Sequence, residues 1–320
     1  MEQGSLERGI FFGSGAAVAA GLIAFAIGSE TSGSIITPAA FCGVSGLRPT
    51  YGAVSRHGAM ALSWTLDKLG PMCRSANCCG LVLAAIAGTD ERDSTARRNY
   101  KFKYPMRRAR ARTNKLRFAV MKDSYEKAQP EVRDNFLRSL AALKKFSIVE
   151  MDVALPDFPY GPMVGTIVDA EGASAFRDLI ESGRVGELAS PEGRAGGYAS
   201  ILTSAVDYLH AMRLRAPARR AWAQMFAKYD LLVAPARATI AYPIDKTFDA
   251  AYPGISASSP IGASNLVGVP AISIPNGFGQ FNLPTGIQLI GPAWGEQLVR
   301  GRRALSTVNG WHRQRPPETA

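Results

Sequence analysis

The spacing of apolar positions changes character along this 320-residue chain, and each change predicts an element. Residues 116–121 form a compact apolar run. Val132, Phe136, Leu137, Leu140 and Leu143 then recur at helical spacing, and 148–153 is a second short run. This strand–helix–strand order predicts a parallel pair and an α/β architecture. Upstream, small side chains over 16–20 predict a closely packed helix, 22–28 a buried strand, and 81–87 a helix that begins near Ser75. Residues 165–228 read as mostly helical, with Phe176, Leu179 and Ile180 followed by an apolar stretch over 205–214. Pro217 predicts a helix start rather than an interior position. Residues 229–235 read as a buried strand ending at Pro235, and alternation over 271–274 and 286–290 predicts two strands closing the same sheet. The fold class is α/β, a mixed, largely parallel sheet flanked by helices, with no internal repeat of fixed period.

Composition adds limits. With 47% hydrophobic and 20% charged residues, 32 Gly and 20 Pro, the chain suits an ordered enzyme-like fold rather than a disordered one. The net charge of +11 is local, because residues 97–117 carry ten Lys and Arg and no acid. That segment reads as a solvated basic linker, and nucleic acid is not expected to be a partner except weakly through it. Residues 15–27 are apolar but too short to span a membrane, and Glu2 and Glu7 precede them beside a single Arg8, so they read as buried core. Cys42, Cys73, Cys78 and Cys79 show no metal-ligand spacing, and His57, His210 and His312 are far apart. All four thiols are expected to be buried or half-buried in a reducing, cytoplasmic setting, with no metal and no cofactor.

The candidate chemistry lies in Gly28-Ser29-Glu30-Thr31-Ser32-Gly33-Ser34-Ile35, followed by Pro38-Ala39-Ala40-Phe41-Cys42-Gly43. Small residues let several backbone N–H groups converge on one point. A serine at the end of such a turn can attack a carbonyl while those groups hold the oxyanion. Gly46-Leu47-Arg48-Pro49-Thr50-Tyr51-Gly52 and Asp67-Lys68-Leu69-Gly70-Pro71 follow in order. Together these motifs resemble the Gly/Ser-rich core of the amidase signature family. Residues 265–275 and 283–292 and Glu296 resemble its C-terminal half. The resemblance covers residues 13–315 as a single domain with the basic linker 97–117 inside it, leaving 1–12 as a non-matching segment and 316–320 as a tail.

The resemblance implies an amidase-type hydrolase acting on carbon–nitrogen amide bonds. Ser34 matches the nucleophile, and the N–H groups of Thr31, Ser32, Gly33 and Ser34 match the oxyanion loop. The implied partner is a small-molecule amide substrate, with a homodimer or amidotransferase partner subunits as further possibilities. A glutaminase-like A subunit of a tRNA-dependent amidotransferase and a catalytically impaired remnant with a binding role are the alternatives. The family uses a Ser–cis-Ser–Lys triad, and here the chain departs from it. Ile10 stands where the bridging serine belongs, no lysine precedes Ser34, and Lys68 matches no catalytic position. Ser14 matches a serine that caps the following helix. Glu30 and Ile36 stand where aspartate and arginine are frequent. The match begins abruptly near Gly13, which implies a shortened or wrongly started chain with apolar surface left open around 13–30. Ser34 is then expected near the edge of the sheet in a shallow depression. Tyr242, Phe248 and Tyr252 line a pocket or merely cover core.

Overall fold

The computed structural model describes residues 12–104, 115–189, 191–243, 245–246, 248–255 and 257–296. Its strands are β1 (Phe25–Glu30), β2 (Ser45–Arg48), β3 (Lys68–Cys73), β4 (Leu116–Met121), β5 (Ser147–Val153), β6 (Leu231–Pro235), β7 (Ala271–Phe278) and β8 (Pro284–Ile290). The helices are α1 (Phe12–Ala19), α2 (Ile36–Phe41), α3 (Ala76–Ile86), α4 (Pro130–Lys144), α5 (Tyr160–Ala175), α6 (Arg177–Glu181), α7 (Pro191–Ser200), α8 (Ala205–Lys228), α9 (Phe248–Ala251) and α10 (Ile261–Val267).

The strands form one sheet in the order β1-β3-β2-β7-β8-β6-β4-β5. It is the mixed α/β sheet expected, with the predicted strand–helix–strand unit present as β4, α4 and β5. The parallel share is smaller than expected: β4 runs parallel to β5 and β6, and every other pair is antiparallel. The reason is connectivity, since parallel neighbours need a long crossover, whereas β7 and β8 are joined by a short turn.

Central strands read as continuous apolar runs because helices cover both faces. Phe118, Val120, Leu231, Val233, Ile272, Ile287 and Leu289 turn towards Leu83 of α3 and Phe136 and Leu140 of α4. Their alternates Ala119, Met121, Leu232, Ala234, Ala271 and Ile290 turn towards α2, α8 and α10, where Trp222 is 1% exposed. In α4, Pro130 opens the first turn, and Val132, Phe136, Leu140 and Leu143 form the buried stripe that the periodicity predicts. Ser75 caps α3 by accepting the Cys78 N–H at 3.3 Å.

Four expectations are corrected. α8 runs through Pro217. Its cap at Ser204 and buried residues on both sides of the proline, Arg215 and Ala218, hold the helix together despite the lost N–H. Residues 15–27 are not all buried: Leu22 and Ile23, in the turn before β1, and Phe25 and Ile27, on one face of β1, are exposed. The open apolar surface expected around 13–30 is therefore present. Cys42, Cys73 and Cys79 are buried but Cys78 is exposed, since helical geometry turns it away from the face carrying Cys79 and Leu83. Ser14 lies inside the first turn of α1 rather than ahead of it. No helix among the described residues is long and apolar enough to cross a membrane.

Candidate active site

Ser34 lies four residues beyond the end of β1, the strand at one edge of the sheet, in the turn that enters α2. Gly33 adopts φ +125°, and a Cβ there would come within 3.1 Å of Ile261 Cγ2. Only glycine meets both conditions without strain. The turn is closed by Thr37 N–H donating to Gly33 O at 2.8 Å. Backbone N–H groups on the two sides of Ser34 are used differently. Those of Ile35 and Ile36 donate to Glu30 Oε2 at 2.8 and 2.9 Å. Those of Thr31, Ser32, Gly33 and Ser34 donate to no acceptor among the described residues, and neither does Ser34 Oγ. Ser34 is half-buried and Ser32 exposed, whereas Thr31 and Gly33 are buried.

Glu30 is wholly buried and anchors the loop. Its Oε1 accepts from Arg48 Nη1 at 2.8 Å and Asn265 Nδ2 at 2.7 Å. Arg48 also donates through Nη2 to Ser264 Oγ at 3.0 Å and Val269 O at 2.9 Å. Burial pushes the Glu30 carboxyl up, but the Arg48 charge and the Asn265 and Ile36 hydrogen bonds outweigh it and hold the carboxyl below its ordinary value. Although Ile36 occupies the place where arginine is frequent, the carboxylate has its cation, reached from β2. Lys68 faces Glu30 in the β1–β3 register. Its buried Nζ donates to Asn265 O at 3.4 Å and forms no ion pair among the described residues. Burial, reinforced by Arg48, holds this amine well below the usual lysine value despite Glu30.

A second carboxylate holds the other end of the loop. Asp67 Oδ1 accepts from Thr31 Oγ1 at 2.6 Å, and its Oδ2 accepts the N–H groups of Leu62 and Ser63 at 2.8 and 3.0 Å. Residues 62–65 are tied in turn to α5 through Glu171, which accepts from Ser63 Oγ, from Thr65 Oγ1 at 2.9 Å and from Tyr208 Oη at 2.9 Å. Burial and Glu171 push the Tyr208 hydroxyl up to about 12. A cleft of about 500 Å³ opens here, lined by Ser29, Arg56, His57, Trp64, Asp67 and Thr95 among others. It reaches the end of β1 and the carboxylate that holds Thr31, but Ser34 itself is not among its lining residues.

The structure thus keeps Thr31, Ser32, Gly33 and Ser34 in one turn, with Ser32 exposed and Ser34 half-buried, and no base contacts Ser34 Oγ among the described residues. Ile10 and His312 lie outside the described residues, His57 lines the cleft, and His210 is exposed. No group of three metal-ligating side chains occurs among the described residues. Tyr242 packs on Phe41 and Tyr252 at ring-centroid distances of 6.4 and 6.2 Å and so covers core, while the Phe248 side chain is outside the described set. Glu171 and Arg48 were not legible as site residues, because each acts through partners distant in sequence. Glu296 was legible by position alone: buried, it accepts Thr50 N–H at 3.2 Å and Tyr100 Oη at 2.8 Å, joining the Gly46–Gly52 motif to the segment after β8.

A mixed sheet carrying a glycine–serine turn at its edge strand defines the class. The Amidase family model matches residues 13–299, and the chain belongs to this amidase signature family. Among curated relatives, the A-type subunit of the glutamyl-tRNA(Gln) amidotransferase of Moorella thermoacetica is 36% identical over 334 residues, covering 95% of this chain and 67% of the relative. Among solved structures, a protein from a vestigial complex bearing on the evolutionary origins of an s-triazine catabolic enzyme superposes with TM-score 0.81 at 27% identity, covering 92% of this chain and 65% of that one. The native peptide amidase of Stenotrophomonas maltophilia gives TM-score 0.76 at 27% identity, covering 96% and 66%. The chain spans about two thirds of the length of these relatives.

Proposed function

We propose that residues 13–315 form one amidase-type hydrolase domain that cleaves carbon–nitrogen bonds of small amides, with Ser34 as nucleophile and the N–H groups of Thr31, Ser32, Gly33 and Ser34 as oxyanion donors. The reading is carried by the unequal use of N–H groups around Ser34. Glu30 takes those of Ile35 and Ile36, and the four ahead of them stay unspent beside a free hydroxyl. Acyl transfer needs this combination, because negative charge develops on the carbonyl oxygen as Oγ attacks. The C–N bond then breaks, amine or ammonia leaves, and water hydrolyses the acyl-serine. The hydroxyl proton must pass to a base, and the groups the family uses for this are missing here: Ile10 has no hydroxyl, and no lysine precedes Ser34. Our reading is therefore that residues 1–320 alone turn over little.

A second reading, a glutaminase-like subunit that passes ammonia to partner subunits, is favoured by the names of the curated relatives. One experiment addresses both. The chain, and the chain extended by any in-frame sequence upstream of the Met1 codon, are assayed on aryl amides, simple primary amides and glutamine, each beside Ser34→Ala. Turnover of about 1 per second or faster is expected only for the extended form. It should fall by roughly three orders of magnitude or more in Ser34→Ala. More than a few per cent of activity left in that variant rejects Ser34 as nucleophile. Serine-dependent turnover of about 1 per second by residues 1–320 rejects the need for an added base. Glutamine hydrolysis that rises when amidotransferase subunits are added selects the second reading.

A further inference from the structure

A second cleft, of about 620 Å³, shares only Thr95 with the one beside the serine loop and lies between α8 and the turn after β8. One wall is a single face of α8, where Arg219, Trp222, Ala223 and Phe226 fall at helical spacing. The Trp222 indole N–H donates to Tyr160 Oη at 2.9 Å, so its hydrogen-bonding capacity is spent inside the fold. The opposite wall is Trp294, whose backbone sits at φ +65°, a region bulky residues rarely adopt. That conformation is held by Trp294 N–H donating to Thr50 Oγ1 at 2.9 Å and by the Gly295 N–H to Pro292 O turn at 2.9 Å. The Arg97 guanidinium lies 4.2 Å over the Trp294 ring, and Tyr100 packs against that ring at 5.0 Å.

The lining contains two ionised groups, Arg97 and Arg219, and no carboxylate. Neither guanidinium has a hydrogen-bond acceptor or an ion-pair partner among the described residues. Glu296 lies behind Thr50 and Tyr100 and spends both oxygens on them. The lining includes Gly268, at φ +76°, where a Cβ would stand 3.2 Å from Tyr51 Cβ and 3.6 Å from Arg219 Nη2. A cleft of this size is in the range of small-ligand sites. Trp294 and the half-buried Phe226 give the lining aromatic surface on which a flat ring can pack, and a guanidinium fork matches the two oxygens of a carboxylate.

We propose that this cleft binds an aromatic carboxylate, its ring between Trp294 and the α8 face and its carboxylate on Arg219 and Arg97. The site is separate from Ser34 and does not depend on the hydrolase reading. The test uses 2-naphthoate as probe and 2-acetylnaphthalene, a similar body without charge, with the full chain in isothermal titration calorimetry and tryptophan fluorescence quenching. Saturable one-site binding of 2-naphthoate is expected, at least about tenfold tighter than that of the neutral analogue. Arg219→Gln should weaken naphthoate about tenfold or more, Arg219→Lys should fall between, and Arg220→Gln, next along α8 but outside the cleft, should bind as the wild type does. Trp294→Leu keeps both guanidinium groups and should also lose affinity. No saturable binding at millimolar probe, equal affinity for the neutral analogue, or equal losses in Arg219→Gln and Arg220→Gln overturns the proposal.

Discussion

Replacing Lys68 by methionine probes the charge state of the cluster that holds the serine loop. Lys68 is 2% exposed, and its Nζ donates only to the Asn265 carbonyl at 3.4 Å. The Glu30 carboxylate across from it is already matched by Arg48 at 2.8 Å, and Arg215 and Asp67 add one further charge of each sign around the amine. Burial and the Arg48 charge outweigh the pull of Glu30 and hold the Lys68 amine well below its ordinary value, so the fold favours the uncharged amine more than the unfolded chain does. In the unfolded chain it regains an ordinary pKa of about 10.4. Below that pH the unfolded state binds one proton more than the folded state, so stability falls as pH falls, by about 1.4 kcal/mol per pH unit, down to the folded pKa. Above about 10.4 the penalty vanishes. Methionine has comparable length and no proton to bind, and titrations elsewhere cancel when the two proteins are compared. Urea unfolding of both between about pH 7.5 and 9.5 should show the wild-type-minus-variant difference rising by up to about 1.4 kcal/mol per unit. A difference that stays flat across this range refutes the reasoning, since it would mean that Lys68 keeps its proton in the fold.

Glu30→Gln leaves the buried Arg48 guanidinium without its counter-charge and should cost about 3–5 kcal/mol in urea unfolding; a loss below about 1 kcal/mol would show that Ser264 and Val269 suffice to hold it. Cys78 is exposed, whereas burial pushes the Cys42 thiol up to about 12, so brief iodoacetamide treatment of the native protein followed by peptide mapping should find Cys78 alkylated and Cys42 intact. Equal labelling of the two would contradict the packing of α1 and α2 around Cys42.

Much of the architecture was legible because it rests on short-range patterns. The β4–α4–β5 unit follows from period, and the cap at Ser75 from residue type next to an apolar run. The serine turn was legible as well, since Gly33 is required by a positive φ that the residues around it cannot supply. Pro217 misled because local propensity argues for a break, while burial of Arg215, Ala218 and Trp222 outweighs one lost hydrogen bond. Residues 22–27 misled in the other direction: an apolar run signals burial only if a partner covers it, and pattern alone names no partner.

The sequence by itself determined the family, most of the strands of the sheet (though not β2 and β3) and a glycine-rich turn carrying Ser34, because each depends on residues close together in the chain. Tertiary structure alone decided how the ends of that turn are held. Glu30 finds its cation 18 positions away in Arg48, Asp67 reaches back 36 positions to Thr31, and burial pushes the Lys68 amine well below its ordinary value. It also decided the mostly antiparallel pairing and the Arg219–Trp294 cleft, which join elements far apart in the chain. The physical reason is the same throughout: desolvation and charge pairing depend on which groups meet in space, and that is settled only when the sheet closes.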